Sequence, residues 1–171
     1  MFDSKDIEIM TILQSNARTS NADIARAVDL TPSAVLERIR KLERRGALRG
    51  YHANIDPEQV GRGLLAYVFV RSNESLGDER VSHELAAISE VQEVHHVAGE
   101  DCYLVKVRTS SPQTLSVLIR ERFGRIPAVL TTRSTIVLET VKEAPYLPLP
   151  RSEGEGEDAE DKKSGGTRDD D

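Results

Sequence analysis

SNADIARAVDLTPSAVLERIRKLERRG, residues 20–46, holds two bursts of apolar residues at helical spacing: Ile24, Ala25 and Val28, then Val35, Ile39 and Leu42. Ser20, with Asp23 three residues on, marks one helix start, and Thr31 followed by Pro32 marks another. Asp29 and Leu30 leave room only for a tight turn between the two, and Gly46 stops the second. Two helices so joined make a helix-turn-helix unit, whose second helix fits the major groove of a duplex. Upstream, Asp3 precedes Ile9, Met10 and Leu13, which predicts a third short helix. Downstream, ALRGYHANI (residues 47–55) places Leu48 and Ile55 as the inward residues of two short strands joined near Arg49 to Tyr51, a small wing. Asp56, Pro57, Gly61 and Gly63 then concentrate turn formers, as a hinge does.

Beyond the hinge the rhythm changes. Leu64 to Val70 is apolar at every position, the mark of a strand covered on both faces, and Val81, Leu85 and Ile88 follow as a helical stripe. Val91 to Ala98 and Tyr103 to Thr109 read as strands of a hairpin interrupted by Gly99 to Asp101. Leu115, Leu118, Ile119 and Phe123 form a second stripe after Pro112, and Val129 to Val141 is rich in β-branched residues. The order βαββαβ predicts a ferredoxin-like domain, a four-stranded antiparallel sheet with two helices on one face, and hence an α+β protein. The chain offers no further element for the other sheet face. Self-association is the expected cover, in a symmetric homodimer.

The net charge of −6 argues against a nucleic-acid partner until it is located. Residues 151–171 hold nine acidic and four basic side chains, a balance of −5, which leaves −1 for the remaining 150 residues. Residues 38–49 contain Arg38, Arg40, Lys41, Arg44, Arg45 and Arg49 against Glu43 alone, a local +5. With a Debye length of about 8 Å, an acidic tail held well away barely weakens that patch. The expected organisation is residues 1–55 for a winged helix-turn-helix domain, 56–63 for the hinge, 64–148 for the sheet domain and 149–171 for an acidic, disordered tail.

Because Val35, Ile39 and Leu42 must face inward, Ser33, Ala34, Glu37 and Arg38, in the first two turns of the third helix, are the candidates for base edges. Lys41, Arg44 and Arg49 suit phosphates, with Arg40 and Arg44 flanking, and Thr31 and Ser33 at the helix start add phosphate hydrogen bonds. Leu36 is apolar where groove or solvent is expected, and packs against the wing or a dimer partner.

DSKDIEIMTILQSNAR, SNADIARAVDLTPSAVLERIRKLERRGALRGYHANIDPEQVG, VAGEDCYLVKV and TTRSTIVLETVK together resemble the Lrp/AsnC (leucine-responsive, feast/famine) family over residues 2–148. The resemblance implies a sequence-specific transcriptional regulator with a winged helix-turn-helix and a βαββαβ effector domain, forming dimers and often octamers. It also implies an amino acid or related small molecule bound near the loop after the second sheet strand and the start of the last. Here those positions are Gly99, Glu100, Asp101, Cys102 and Tyr103, with Thr131, Thr132, Arg133 and Ser134. Many relatives carry aspartate where Cys102 stands, so either Asp101 or Glu100 takes the ammonium group here, or the ligand is not an ordinary α-amino acid. In physical terms Gly99 lets backbone approach a ligand and Arg133 can neutralise a carboxylate, while a hairpin turn with solvent-facing acids is the plainer reading of the loop.

One cysteine, Cys102, excludes an internal disulfide framework and reads as an inert, partly buried thiol. No run approaches the length of a membrane span and the start lacks an apolar signal core, so a cytoplasmic, nucleoid-associated protein is expected, with no membrane partner. His95 and His96 are adjacent and would point to opposite faces of a strand, so neither a metal nor another cofactor is expected. Two other readings remain open. One is an architectural, nucleoid-organising DNA binder; the other is an enzyme similar to sirohaem decarboxylases, with His95, His96 and Arg133 as counterparts, against which the basic third helix argues.

Overall fold

Three helices at the amino terminus begin where polar side chains can take up their free N–H groups. The computed structural model describes residues 2–75, 78–144 and 146–150. Helix α1, Ser4–Ser15, opens on a capping box: the Asp3 carboxylate accepts from the Asp6 N–H at 2.8 Å, and the Asp6 carboxylate accepts from the Asp3 N–H. Helix α2, Asn21–Val28, is capped by Ser20, and α3, Pro32–Arg44, by Thr31, whose Oγ1 accepts from the Ala34 N–H at 3.2 Å. Asp29 adopts a left-handed conformation (φ 53°) to end α2, and Gly46 (φ 69°) follows α3 where a Cβ would be strained. Ile9, Leu13, Ile24, Val28, Val35, Ile39 and Leu42 close one buried core.

No wing forms. Residues 47–63 contain no strand: Leu48 packs on the helical core, Ile55 stays 63% exposed, and the Tyr51 hydroxyl donates to Glu43 at the end of α3. The physical reason is that a two-stranded hairpin is marginal without a third strand or an apolar face to bury, and Leu48 and Ile55 are too few to supply one. Leu36 is exposed as well, with no wing to meet it.

The second compact unit, Asn54–Glu143, is a four-stranded antiparallel sheet in the order β2-β3-β1-β4. Its strands are β1 Leu64–Ser72, β2 Val91–His96, β3 Tyr103–Thr109 and β4 Val129–Ile136; helices α4, Arg80–Ala86, and α5, Pro112–Glu121, complete βαββαβ. Ala66, Val68, Val70, Val105 and Val107 pack beneath Val81, Leu85, Leu115, Leu118 and Phe123. The opposite face carries Leu65, Tyr67 and Phe69 of β1 beside Leu104, Lys106 and Arg108 of β3.

That opposite face is not wholly bare. Strand β4 ends at Ile136, short of Val141, because after the Val137 N–H bonds the Leu65 carbonyl the chain leaves the sheet edge. It crosses β1 so that the Glu143 carboxylate meets Lys106 and Arg108, the latter at 2.7 Å, on β3. The expectation that the chain itself supplies no further element on that face is corrected by this strap. The following residues return to the helical unit. There the Leu147 N–H donates to Gln14 Oε1 at 2.7 Å, Gln14 Nε2 donates to the Leu147 carbonyl at 3.2 Å, and Leu149 packs on the helical core. The acidic stretch 151–171 lies outside the described residues.

Candidate nucleic-acid interface and effector site

With Val35, Ile39 and Leu42 buried, a helix of 3.6 residues per turn turns Ser33, Glu37, Arg40, Lys41 and Arg44 to its outer side, and all five are exposed. Arg49 is exposed a few residues on, and Ala34 is half-buried at the margin. Thr31 and Ser33, at the helix start, hydrogen-bond each other at 3.1 Å. Arg40, Lys41, Arg44 and Arg49 make no ion pair among the described residues. Their charge is therefore available to an anion.

Arg38, expected at base edges, is committed elsewhere. Its Nη1 donates to Asp3 Oδ2 and to Asp6 Oδ1, each at 2.7 Å. The reason lies in α1: Asp6 is 6% exposed, and a carboxylate so buried requires a charged or hydrogen-bonding partner. The Arg38 guanidinium, with the Asp6 N–H, holds the Asp3 carboxyl below the usual range, and the two carboxylates raise the Arg38 value in return. Arg45, which sequence reasoning placed in no role, lies over the Phe2 ring at 4.8 Å.

The nine residues assigned to the effector by resemblance are not gathered on one face of the sheet. Strand alternation divides them: Thr132 and Ser134 stand opposite Val70 and Val68, on the helix-bearing face, whereas Thr131 and Arg133 stand opposite Arg71 and Phe69, on the other. Thr132 and Ser134 line a surface cavity of about 460 Å³ with Leu115, Ser116, Ile119 and Arg120 of α5. Tyr103 is buried on the helix face, donating to Glu74 Oε2 at 2.8 Å; burial first, and then this carboxylate, push its phenol up to about 12. Cys102 is half-buried, its Sγ 3.5 Å from the Ser72 N–H, and Gly99 and Glu100 are exposed.

Two of the nine do converge. Arg133 lies over the Phe69 ring at 4.0 Å, and its Nη2 donates to Asp101 Oδ2 at 3.0 Å. Phe69 was missed by sequence reasoning, because only the β1–β4 register sets it beside Arg133. His95 and His96 point to opposite faces, His95 toward Glu93 at 3.1 Å and His96 toward the Tyr103 ring, and neither adjoins Arg133 in the strand register. No cluster of three or more His, Cys, Asp or Glu side chains suited to a metal ion occurs among the described residues, nor a helix long and apolar enough to cross a membrane.

Comparison with known proteins finds two matching family models along the chain. A family model described as the AsnC-type helix-turn-helix domain matches residues 2–43, and one described as the Lrp/AsnC ligand binding domain matches residues 65–147. The leucine-responsive regulatory protein of Escherichia coli strain K12 is 35% identical over 149 residues, covering 86% of this chain and 91% of that protein. Among solved structures, a transcriptional regulator of Neisseria meningitidis in complex with L-methionine is 28% identical with a TM-score of 0.81, over 86% of this chain and 97% of that one. A feast or famine regulatory protein of M. tuberculosis complexed with L-methionine is 33% identical with a TM-score of 0.79, over 86% and 99%.

Proposed function

The chain belongs to the Lrp/AsnC family of transcriptional regulators, and from that premise we propose that it binds double-stranded DNA through the outer face of α3 and responds to an amino acid or closely related metabolite. The observation that carries the DNA assignment is the row Arg40, Lys41, Arg44 and Arg49, exposed and without ion pairs among the described residues, beside the capped start of α3 at Thr31 and Ser33. Glu37 lies amid these cations, where it can accept from a cytosine amino group, and Ser33 and Ala34 can reach base edges near the helix start. Arg38 braces the helix rather than reading sequence. The reading is of a regulator, not an enzyme.

Arg133, Asp101 and Phe69 are the proposed effector contacts. A ligand carboxylate would take Arg133 from Asp101, and the freed Asp101 would suit an ammonium group, so an α-amino acid matches both charges at once. The half-buried Tyr67, Phe69 and Leu104 on the same sheet face support a homo-oligomer with that face at its interface.

Selection of binding sites from a random duplex library tests the DNA reading. A regulator returns a short, two-fold symmetric site; enrichment spread over unrelated sequences would favour an architectural role, and no enrichment would end both. The effector reading is tested by thermal shift against the twenty amino acids. Saturation at about a hundredfold over the dissociation constant stabilises by about 2.7 kcal/mol, a rise of several degrees.

A further inference from the structure

We propose that the acidic segment after Pro150 docks on the cationic face of α3 and competes there with duplex DNA, a proposal that rests on α3 being the DNA-reading helix. Three observations point to it. First, the described chain ends on the helical unit itself, tied down by the paired hydrogen bonds between Gln14 and the Leu147 backbone and by the packing of Leu149 on the helical core. The acidic stretch therefore starts from the DNA-binding unit. Second, the charges complement each other: residues 151–171 carry −5, with Glu153, Glu155, Glu157, Asp158, Glu160 and Asp161 crowded into residues 153–161, while residues 38–49 carry +5. Arg40, Lys41, Arg44 and Arg49 have no ion pair among the described residues to satisfy them.

Third, the reach suffices. Twenty-one residues can extend to at most about 70 Å, and α3, with thirteen residues, is about 20 Å long. Tethering at that range gives an effective concentration on the order of millimolar, at which even weak carboxylate–guanidinium contacts are populated. The consequence is selective. Binding to unrelated duplex is almost wholly electrostatic, so a competing polyanion suppresses it more than it suppresses a site that also offers base contacts. The tail thereby sharpens discrimination between the cognate site and bulk DNA.

The test uses the full chain in two readouts. In one, the nine acidic residues of 151–171 are replaced by Asn or Gln, and binding to a labelled duplex of unrelated sequence is followed by anisotropy at about 50 mM salt. Binding should tighten about tenfold over the natural chain, tighten much less for the selected site, and converge with the natural chain near 0.5 M salt. In the other, a dye is attached through Ser164→Cys in a Cys102→Ser background. Its motion should be slowed in the free protein and released by duplex, by about 0.5 M salt, and by the pair Arg40→Ala and Arg44→Ala. Dye motion indifferent to duplex and to the arginine pair overturns the proposal, as does unrelated-duplex affinity within about twofold of the natural chain after neutralisation. If the arginine pair abolishes DNA binding while the tail substitutions change nothing, only the docking falls and α3 keeps its assignment. Failure of the neutralised chain to bind any duplex ends both.

Discussion

Asp6 is a buried carboxylate, and Arg38 is the cation that makes its burial tolerable. The Arg38 side chain keeps 31% of its exposure, so its loss should cost less than the 3–5 kcal/mol typical when a fully buried pair is broken: Arg38→Ala is expected to destabilise by about 2 kcal/mol, read from urea unfolding. In the folded variant the salt dependence of DNA binding should be unchanged, whereas Lys41→Ala should lower its slope by about one. Equal changes in slope would return Arg38 to the interface. The pH dependence has a definite sign. Because Arg38 depresses the folded Asp3 value, the stabilisation is complete above the unfolded value of about 3.9 and is lost as pH falls through the lower folded value. Acid titration of Arg38→Ala should therefore be flatter below about pH 4. None of this was legible in the sequence, where Arg38 sits on a polar flank of a basic helix. Its partners lie 35 and 32 positions earlier, and only packing of α1 against α3 brings them together.

At the scale of elements, the short-range rules of the sequence carried furthest. Ser20, Thr31 and Asp3 cap the three helices they were expected to cap, because N-capping depends on a few neighbouring residues. Thr31→Ala should lower stability by about 1 kcal/mol and weaken DNA binding at the start of α3, both measurable on one preparation. The wing failed for the opposite reason: a hairpin needs tertiary cover, and alternation of Leu48 and Ile55 says nothing about whether cover exists. The placement of the expected effector residues on the sheet was hidden in the same way. Thr131 to Ser134 are contiguous in sequence, yet period-two alternation sends them to two faces of the sheet. Arg133→Gln should abolish the ligand-induced rise in Tm while Thr132→Val preserves it; the reverse outcome would move the site to the cavity beside α5.

For the whole molecule, the order βαββαβ fixed the sheet domain, since two helices on one face leave few antiparallel solutions. The strap was invisible, because residues 137–141 continue the β-branched run that begins at Val129, and Glu143 gains meaning only beside Lys106 and Arg108. The strap also bears on assembly. Leu138 and Val141 are 98% and 90% exposed, the sheet face that the strap crosses also carries the half-covered Phe69 and Leu104, and such apolar exposure is uncommon on a protein that remains a monomer. If this face joins two copies, Leu138→Lys with Val141→Lys should yield monomers in light scattering while circular dichroism stays native, since neither side chain contributes to the monomer's core. Because two half-sites are read together only by a paired molecule, the same variant should lose most of its affinity for a two-fold symmetric site but little for a single half-site. An assembly that survives both substitutions would place the contact on another surface and leave the exposed strap without this role.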